Sequence, residues 1–276
     1  MSGGAAPVTL AVDGDVAIVT LNRAASFNAI DLPLAQELHA AVEEAGARPQ
    51  ARALLLHGAG RSFCGGGDVI AMQRHAHDLP AFVGQVIDAF HALMLSLARL
   101  RLPVVAAVQG SAAGGGYSLA MAADVVVAAR SARFVVAYPR LGTSTDGGLS
   151  FRLQQRLGPQ RALALLLQEE PLQAEAALAL GLVQEVVGDD ALPARALAAA
   201  RRLAAWPAQA VAELRALAQA PSLPELQAQL DRERAAFLRC AATPEFAARV
   251  AAFAAKSSGA TSSSHASTAP SSPSAA

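Results

Sequence analysis

Two glycine clusters, each set directly behind an apolar run, carry the clearest chemical signal in this chain. Cys64-Gly65-Gly66-Gly67-Asp68 follows Ala53-Leu54-Leu55-Leu56-His57, and Gly114-Gly115-Gly116 follows Val104-Val105-Ala106-Ala107-Val108. Glycine has no Cβ, so a ligand can approach the main chain closely and the chain can take turns closed to other residues. Each cluster also opens a helix-like stretch, whose first N–H groups lack internal partners and carry the positive end of the helix dipole. Such amides suit either a phosphate or a carbonyl oxygen that gains negative charge. A nucleotide-phosphate cradle is the weaker of the two, because G-x-G-x-x-G after the first strand of a βαβ unit and the P-loop G-K-[ST] are both absent.

Bulk composition narrows the classes. The chain has 276 residues, 53% hydrophobic and 16% charged, enough apolar content for a large core. Its 22 basic and 22 acidic residues balance, so no global field draws it to nucleic acid or an anionic membrane, and neither is expected as a partner. Cys64 and Cys240 are the only cysteines and have no metal-ligand spacing, which predicts no metal site and a reducing, cytoplasmic setting. Lys256 is the only lysine among the 22 basic residues.

The elements that must hold the clusters read as layered α/β. Val8 to Val12 and Val16 to Leu21 form a hairpin about Asp13-Gly14-Asp15. Asp31 caps a helix carrying Leu34, Leu38 and Val42. A helix from about Pro80 to Arg99 has Val83, Ile87, Phe90, Met94 and Leu97 along its apolar side. Short strands follow at Asp124 to Ala128 and Arg133 to Val136, and Asp146-Gly147-Gly148 opens a helix ending near Leu157. From about Asp189 the pattern is helical only, which predicts a core over 1–199, a C-terminal helical subdomain over 200–256, and a disordered Ser/Ala/Thr/Pro tail over 257–276.

Taken together, Arg61-Ser62-Phe63-Cys64-Gly65-Gly66-Gly67-Asp68, Ala107-Val108-Gln109-Gly110-Ser111-Ala112-Ala113-Gly114-Gly115-Gly116 and Ala123-Asp124 resemble the signature of the crotonase superfamily, the enoyl-CoA hydratase/isomerase family. The likeness runs from about Val8 to Lys256. Leu21-Asn22-Arg23 with Phe27-Asn28-Ala29 is similar to the family's N-terminal acyl-CoA segment, and Leu180-Gly181-Leu182-Val183 to its strand before the C-terminal helices. The resemblance implies a spiral of ββα units with a helical C-terminal region, assembled as a homotrimer or a dimer of trimers. It implies an acyl-CoA substrate, with coenzyme A arriving as part of that substrate and no separate cofactor. The N–H groups of Gly67 and Gly115 would form the oxyanion hole for the thioester oxygen, with Arg23, Phe27, Gly65, Asp68 and Tyr138 around the substrate. Phe237, Phe253 and Lys256 match positions that, in the family, reach across a subunit boundary to a neighbour's CoA.

Departures from the family pattern bear on the reaction. Family hydratases use two glutamates where this chain has Ser118 and Arg140, and these cannot replace a carboxylate pair that polarises water. Asp146 remains. Its place resembles that of the catalytic aspartate in the phenylacetyl-CoA-pathway isomerases, where it moves a proton, and in the 4-chlorobenzoyl-CoA dehalogenases, where it attacks an aromatic carbon. His91 stands at the spacing of the dehalogenase histidine, and Tyr138 replaces that branch's tryptophan. Two plainer roles stand beside these: Asp146 as a helix N-cap, and His91 as an ordinary helix residue. The segment from Ala128 to Ala137 looks closer to the isomerases, so isomerisation is the expected reaction, with aromatic substitution by Asp146 and catalytically silent acyl-CoA binding as alternatives.

Overall fold

Strand alternation sorts the core into two layers. In the computed structural model, which describes residues 6–219 and 222–263, Leu54 and Leu56 pack on one side of the central sheet and Ala53 and Leu55 on the other. The elements in chain order are β1 (Val8–Asp13), β2 (Val16–Leu21), α1 (Leu32–Ala47), β3 (Ala53–Gly58), α2 (Val69–Arg74), α3 (Leu79–Arg99), β4 (Val104–Val108), β5 (Ser111–Ala113) and α4 (Gly115–Met121). They continue with β6 (Val125–Ala129), β7 (Arg133–Val135), α5 (Tyr138–Leu141), α6 (Leu149–Leu157), α7 (Pro159–Leu166), β8 (Leu172–Gln173), α8 (Ala174–Ala179), β9 (Glu185–Val187), α9 (Leu192–Ala204), α10 (Ala208–Gln219), α11 (Leu223–Ala241) and α12 (Pro244–Ser263).

The six-stranded sheet runs β1-β2-β3-β4-β6-β9, antiparallel only at the β1–β2 hairpin, and a small sheet runs β5-β7-β8. Each turn of the chain lays a long strand in the large sheet and a short one in the small sheet, then a helix, as β4-β5-α4 and β6-β7-α5 do. The first glycine cluster joins this scheme through a single parallel bridge, Cys64 to Ala112. Gly67 and Gly115 therefore hold equivalent places in successive turns, between a short strand and a helix. This is the α/β crotonase spiral with its C-terminal helices.

Helix α3 is apolar enough and long enough to cross a bilayer, but here its Val83, Ile87, Phe90, Met94 and Leu97 are buried in the core. Helix α9 covers the opposite face of the sheet with Ala196, Ala199, Ala200 and Ala204. The expected boundary at 199/200 falls inside α9, because that helix is part of the core. Asp124 ties in α10: its carboxylate accepts from Val104 N–H at 2.7 Å and from Arg215 Nε at 2.7 Å. Two expectations fail locally. Gly181, at φ 72°, turns the chain after α8, so Leu180-Gly181-Leu182-Val183 is a turn and the strand starts at Glu185. Residues 257–263 continue α12, since an existing helix extends through Ser and Ala with no proline before 270; residues 264–276 of the expected tail lie outside the described residues.

Candidate active site

Backbone contacts weld the two glycine clusters together. Cys64 N–H donates to Ser111 O at 3.1 Å, and Ala113 N–H donates back to Cys64 O at 2.9 Å. A Cβ on Gly116 would stand 2.3 Å from Cys64 O, and one on Gly66, at φ 88°, would stand 2.6 Å from Ala113 O. Only glycine permits this approach. On the outer side, Ile30 N–H donates to Gly66 O at 2.7 Å, and Asp68 N–H to Ile30 O at 2.8 Å. The N–H groups of Gly67 and Gly115 take no acceptor among the described residues, and both glycines line the same cavity. Cys64 is no competing nucleophile, because burial pushes its thiol up to about 12.

That cavity has a volume of about 590 Å³ and mostly apolar walls, including Ile30, Met72, Val86, Phe90, Leu141 and Phe237. Two rings flank the Gly114–Gly115 peptide: Tyr138 comes within 3.9 Å of a Cβ position on Gly114, and Phe90 within 3.6 Å of one on Gly115. Asp146 is the one carboxylate among the lining residues. Its Oδ1 lies 2.6 Å from Nε2 of His91, both side chains are buried, and Oδ2 takes no hydrogen bond among the described residues. Helix α3 supplies His91 from the same stripe as Ile87 and Met94. His91, for which the sequence left a catalytic and an ordinary helix role open, thus holds the aspartate. Asp146 is not the N-cap of α6 either, since Gly148 occupies that position.

A third buried group completes the cluster. Glu233 of α11 accepts from Gly148 N–H at 2.7 Å and from Ser150 Oγ at 2.5 Å, and so caps α6 from outside it. Single ligand atoms of His91, Asp146 and Glu233 lie within 4.8 Å of one another, a grouping that sequence spacing did not foretell; the hydrogen bonds account for it without an ion. Burial works against a charge on His91, but its bond to Asp146 and the charges of Asp146, Glu233 and Asp88 outweigh burial and raise its pKa. Burial and the nearby Asp146 charge raise Glu233, against the opposing hydrogen bonds from Ser150 and Gly148. Burial first, then the charge of Asp146, keeps the Tyr138 phenol protonated, and it donates to Asp146 O at 3.0 Å. Ser118 Oγ donates to the same carbonyl at 2.6 Å.

Sequence reasoning missed Glu233. A signal was there: Leu226, Leu230, Glu233, Phe237 and Ala241 are all buried on α11, so a carboxylate interrupts an apolar stripe. The N-terminal residues expected at the substrate do not reach the cavity wall. Arg23 pairs with Asp31 at 2.7 Å and Asp68 at 3.2 Å, and Asp68 caps α2 by accepting from Ala71 N–H at 2.9 Å. Phe27 sits at φ 54°, which turns its ring outward under the Arg61 guanidinium at 4.5 Å, while its carbonyl holds Gly65 N–H at 2.8 Å. Gly65 and Tyr138 do line the cavity. So do Phe237, Phe253 and Lys256. Anchoring of α11 on α3, through the Arg234–Asp88 pair at 2.5 Å, folds both C-terminal helices back over the site of their own chain. Arg140 also lines the cavity, its guanidinium donating to Glu169 O at 2.5 Å.

Known proteins agree with this geometry. The enoyl-CoA hydratase/isomerase family profile matches residues 12–260. A "Probable enoyl-CoA hydratase" of Mycobacterium tuberculosis is 37% identical over 254 residues, 89% of this chain and 96% of the relative. The 1,2-epoxyphenylacetyl-CoA isomerase of Escherichia coli K12 is 34% identical over 248 residues, 90% of this chain and 95% of the relative. An enoyl-CoA hydratase crystal structure from Mycobacterium avium subsp. paratuberculosis superposes with a TM-score of 0.82 at 32% identity, covering 90% of this chain and 99% of that one. With a matching profile over most of its length, the paired glycine turns at the head of one cavity and the spiral that joins them, the chain belongs to the enoyl-CoA hydratase/isomerase family.

Proposed function

We propose that this chain is an acyl-CoA enzyme that isomerises an unsaturated or ring-containing acyl group through an enolate. The thioester oxygen sits between the N–H groups of Gly67 and Gly115, fixed donors that stabilise developing negative charge without reorganising. Asp146 takes a proton from one carbon; the C–H electron pair moves into the enolate, and the carboxylic acid returns the proton to another carbon as the enolate collapses. The double bond moves and no water is consumed. His91 fixes one carboxylate oxygen and leaves the other for the substrate.

The observation that carries this reading is the single carboxylate on the cavity wall. Ser118 and Arg140 stand where hydration would need acids, and the Ser118 hydroxyl is committed to the Asp146 carbonyl. The likeness to 1,2-epoxyphenylacetyl-CoA isomerase supports it. The His91–Asp146 contact also favours a second reading, in which Asp146 adds to the halogen-bearing carbon of a 4-halobenzoyl-CoA, halide leaves, and water then cleaves the aryl ester.

A panel of acyl-CoAs followed by mass and ultraviolet absorbance tests both. Isomerisation changes absorbance at constant mass, hydration adds mass, and aromatic substitution releases halide. Tight binding with no turnover would make the chain a silent acyl-CoA binder and overturn the proposal. The homotrimer or dimer of trimers belongs to the same proposal. Trp206, Leu214 and Leu217, 63%, 67% and 74% exposed, are apolar surface that assembly would cover, and light scattering checks it.

A further inference from the structure

We propose that Glu233 is a positioning residue that holds the Asp146 loop and sets the electrostatic field at His91 from a second cleft, without touching the acyl group. This rests on the reading that Asp146 moves a proton. Glu233 does not line the acyl cavity; it borders a separate cleft of about 420 Å³ with Ser144, Thr145, Ser150, Gln229, Arg232 and Arg239. The loop between them alternates. Thr143 and Asp146 face the acyl cavity, while Ser144 and Thr145 face the second cleft. Glu233 grips the cleft side of this loop at its middle and its end, through Thr145 Oγ1 at 3.3 Å and Gly148 N–H at 2.7 Å.

Geometry makes this grip an electrostatic one as well. The Glu233 carboxylate, 3% exposed, has an oxygen within 4.8 Å of ligand atoms on both Asp146 and His91. A negative charge at that range, screened little by solvent, makes a proton on His91 more favourable. Other charges facing the cluster do not replace it. Asp88 on α3 is exposed and paired with Arg234, Tyr138 on α5 stays neutral, and Arg152 of α6 acts with the opposite sign. Arg232 and Arg239 lie in the cleft, on the solvent side of Glu233.

The test uses the full chain and two readouts. The first is the midpoint of the His91 imidazole by nitrogen NMR in the ligand-free enzyme; the second is the acid limb of the kcat/KM profile. Glu233→Gln keeps the size and one acceptor but removes the charge, Glu233→Asp keeps the charge but withdraws from Gly148, and Ser150→Ala removes only a donor hydroxyl. In Glu233→Gln both readouts move to a pH lower by about 1, while Glu233→Asp and Ser150→Ala keep the midpoint. An unmoved midpoint in Glu233→Gln, or equal movement in all three, overturns the proposal and leaves Glu233 as a helix cap. If Glu233→Gln does not fold, the unmodified enzyme decides: carbon labelling of glutamate locates the Glu233 titration, and His91 must inflect at that same pH. A midpoint that moves in an enzyme that isomerises nothing on the acyl-CoA panel removes the functional reading and keeps only the electrostatic coupling of Glu233 to His91.

Discussion

The two walls of the cavity are built from different materials. On the glycine wall the groups offered to a ligand are backbone amides, placed by one repeated turn of the spiral at Gly67 and Gly115 and locked by contacts no larger residue permits. On the other wall the group offered is a side chain, Asp146 of the 143–148 loop, held by His91 of α3 and, from outside the cavity, backed by Glu233 of α11. Amides do not titrate in the working range and cannot be exchanged by substitution, so the first wall can serve any reaction with an enolate-like intermediate. Side chains titrate and are replaceable, so the second wall is where a substitution can change the reaction.

The largest effect comes from attacking the second wall at its centre. Asp146→Asn keeps the shape and removes the proposed base, and turnover is expected to fall by about 10²- to 10⁴-fold, the span usual for a positioned acid–base group. Acyl-CoA binding, measured by calorimetry, stays close to its original strength because the amides remain. Full turnover in Asp146→Asn would erase the distinction between the walls. Next is the first wall. Gly116→Ala drives a Cβ to 2.3 Å from Cys64 O, which is main chain and cannot rotate away. The clusters must separate, at a cost of about 1–3 kcal/mol in stability by denaturant titration. Binding and turnover fall together, since both need the same amides.

The difference in material also explains what was legible in the sequence. The glycine wall is contiguous text: an apolar run, glycines, then a helix start, twice over, so its fold and its pairing follow from local pattern and resemblance. The second wall is assembled from residues far apart. His91 and Asp146 are 55 positions apart, and an ordinary helix histidine stayed a fair alternative until the contact itself was in view. Glu233 lies further off still, and its capping of α6 is visible only once α11 folds back on α3. Proximity in a motif also misled. Arg23 and Phe27 belong to the N-terminal motif and Asp68 ends the first cluster, but the ion pairs of Arg23, a left-handed turn at Phe27 and the capping duty of Asp68 turn their side chains to building the wall rather than lining it.

A pH test sharpens the contrast. His91 has a raised pKa in the folded chain, so its pairing contributes stability that is fully present below the unfolded histidine pKa, about 6.5, and is lost as pH rises through the folded value. Against His91→Gln, the unmodified chain therefore holds its largest stability advantage on the acid side, on the order of 1 kcal/mol, read from denaturant titrations repeated at each pH. The advantage shrinks toward alkaline pH. A stability difference that stays flat from mildly acid to alkaline pH would show that His91 acts by packing alone.

The smallest effect is on the charged brace behind the glycine wall. Arg23 joins Asp31, the cap of α1, to Asp68, the cap of α2, and it donates to Ala29 O at 3.0 Å. Its side chain is 25% exposed, so solvent screens the pairs and Arg23→Gln costs only about 0.5–1 kcal/mol. The loss follows salt, and narrows as ionic strength rises. The expected kcat is unchanged, while KM rises slightly as the loop carrying Gly65 to Gly67 loosens. A change in kcat as large as the change in KM would mean that the two walls are mechanically coupled through α2, and that the division between them is only one of chemistry.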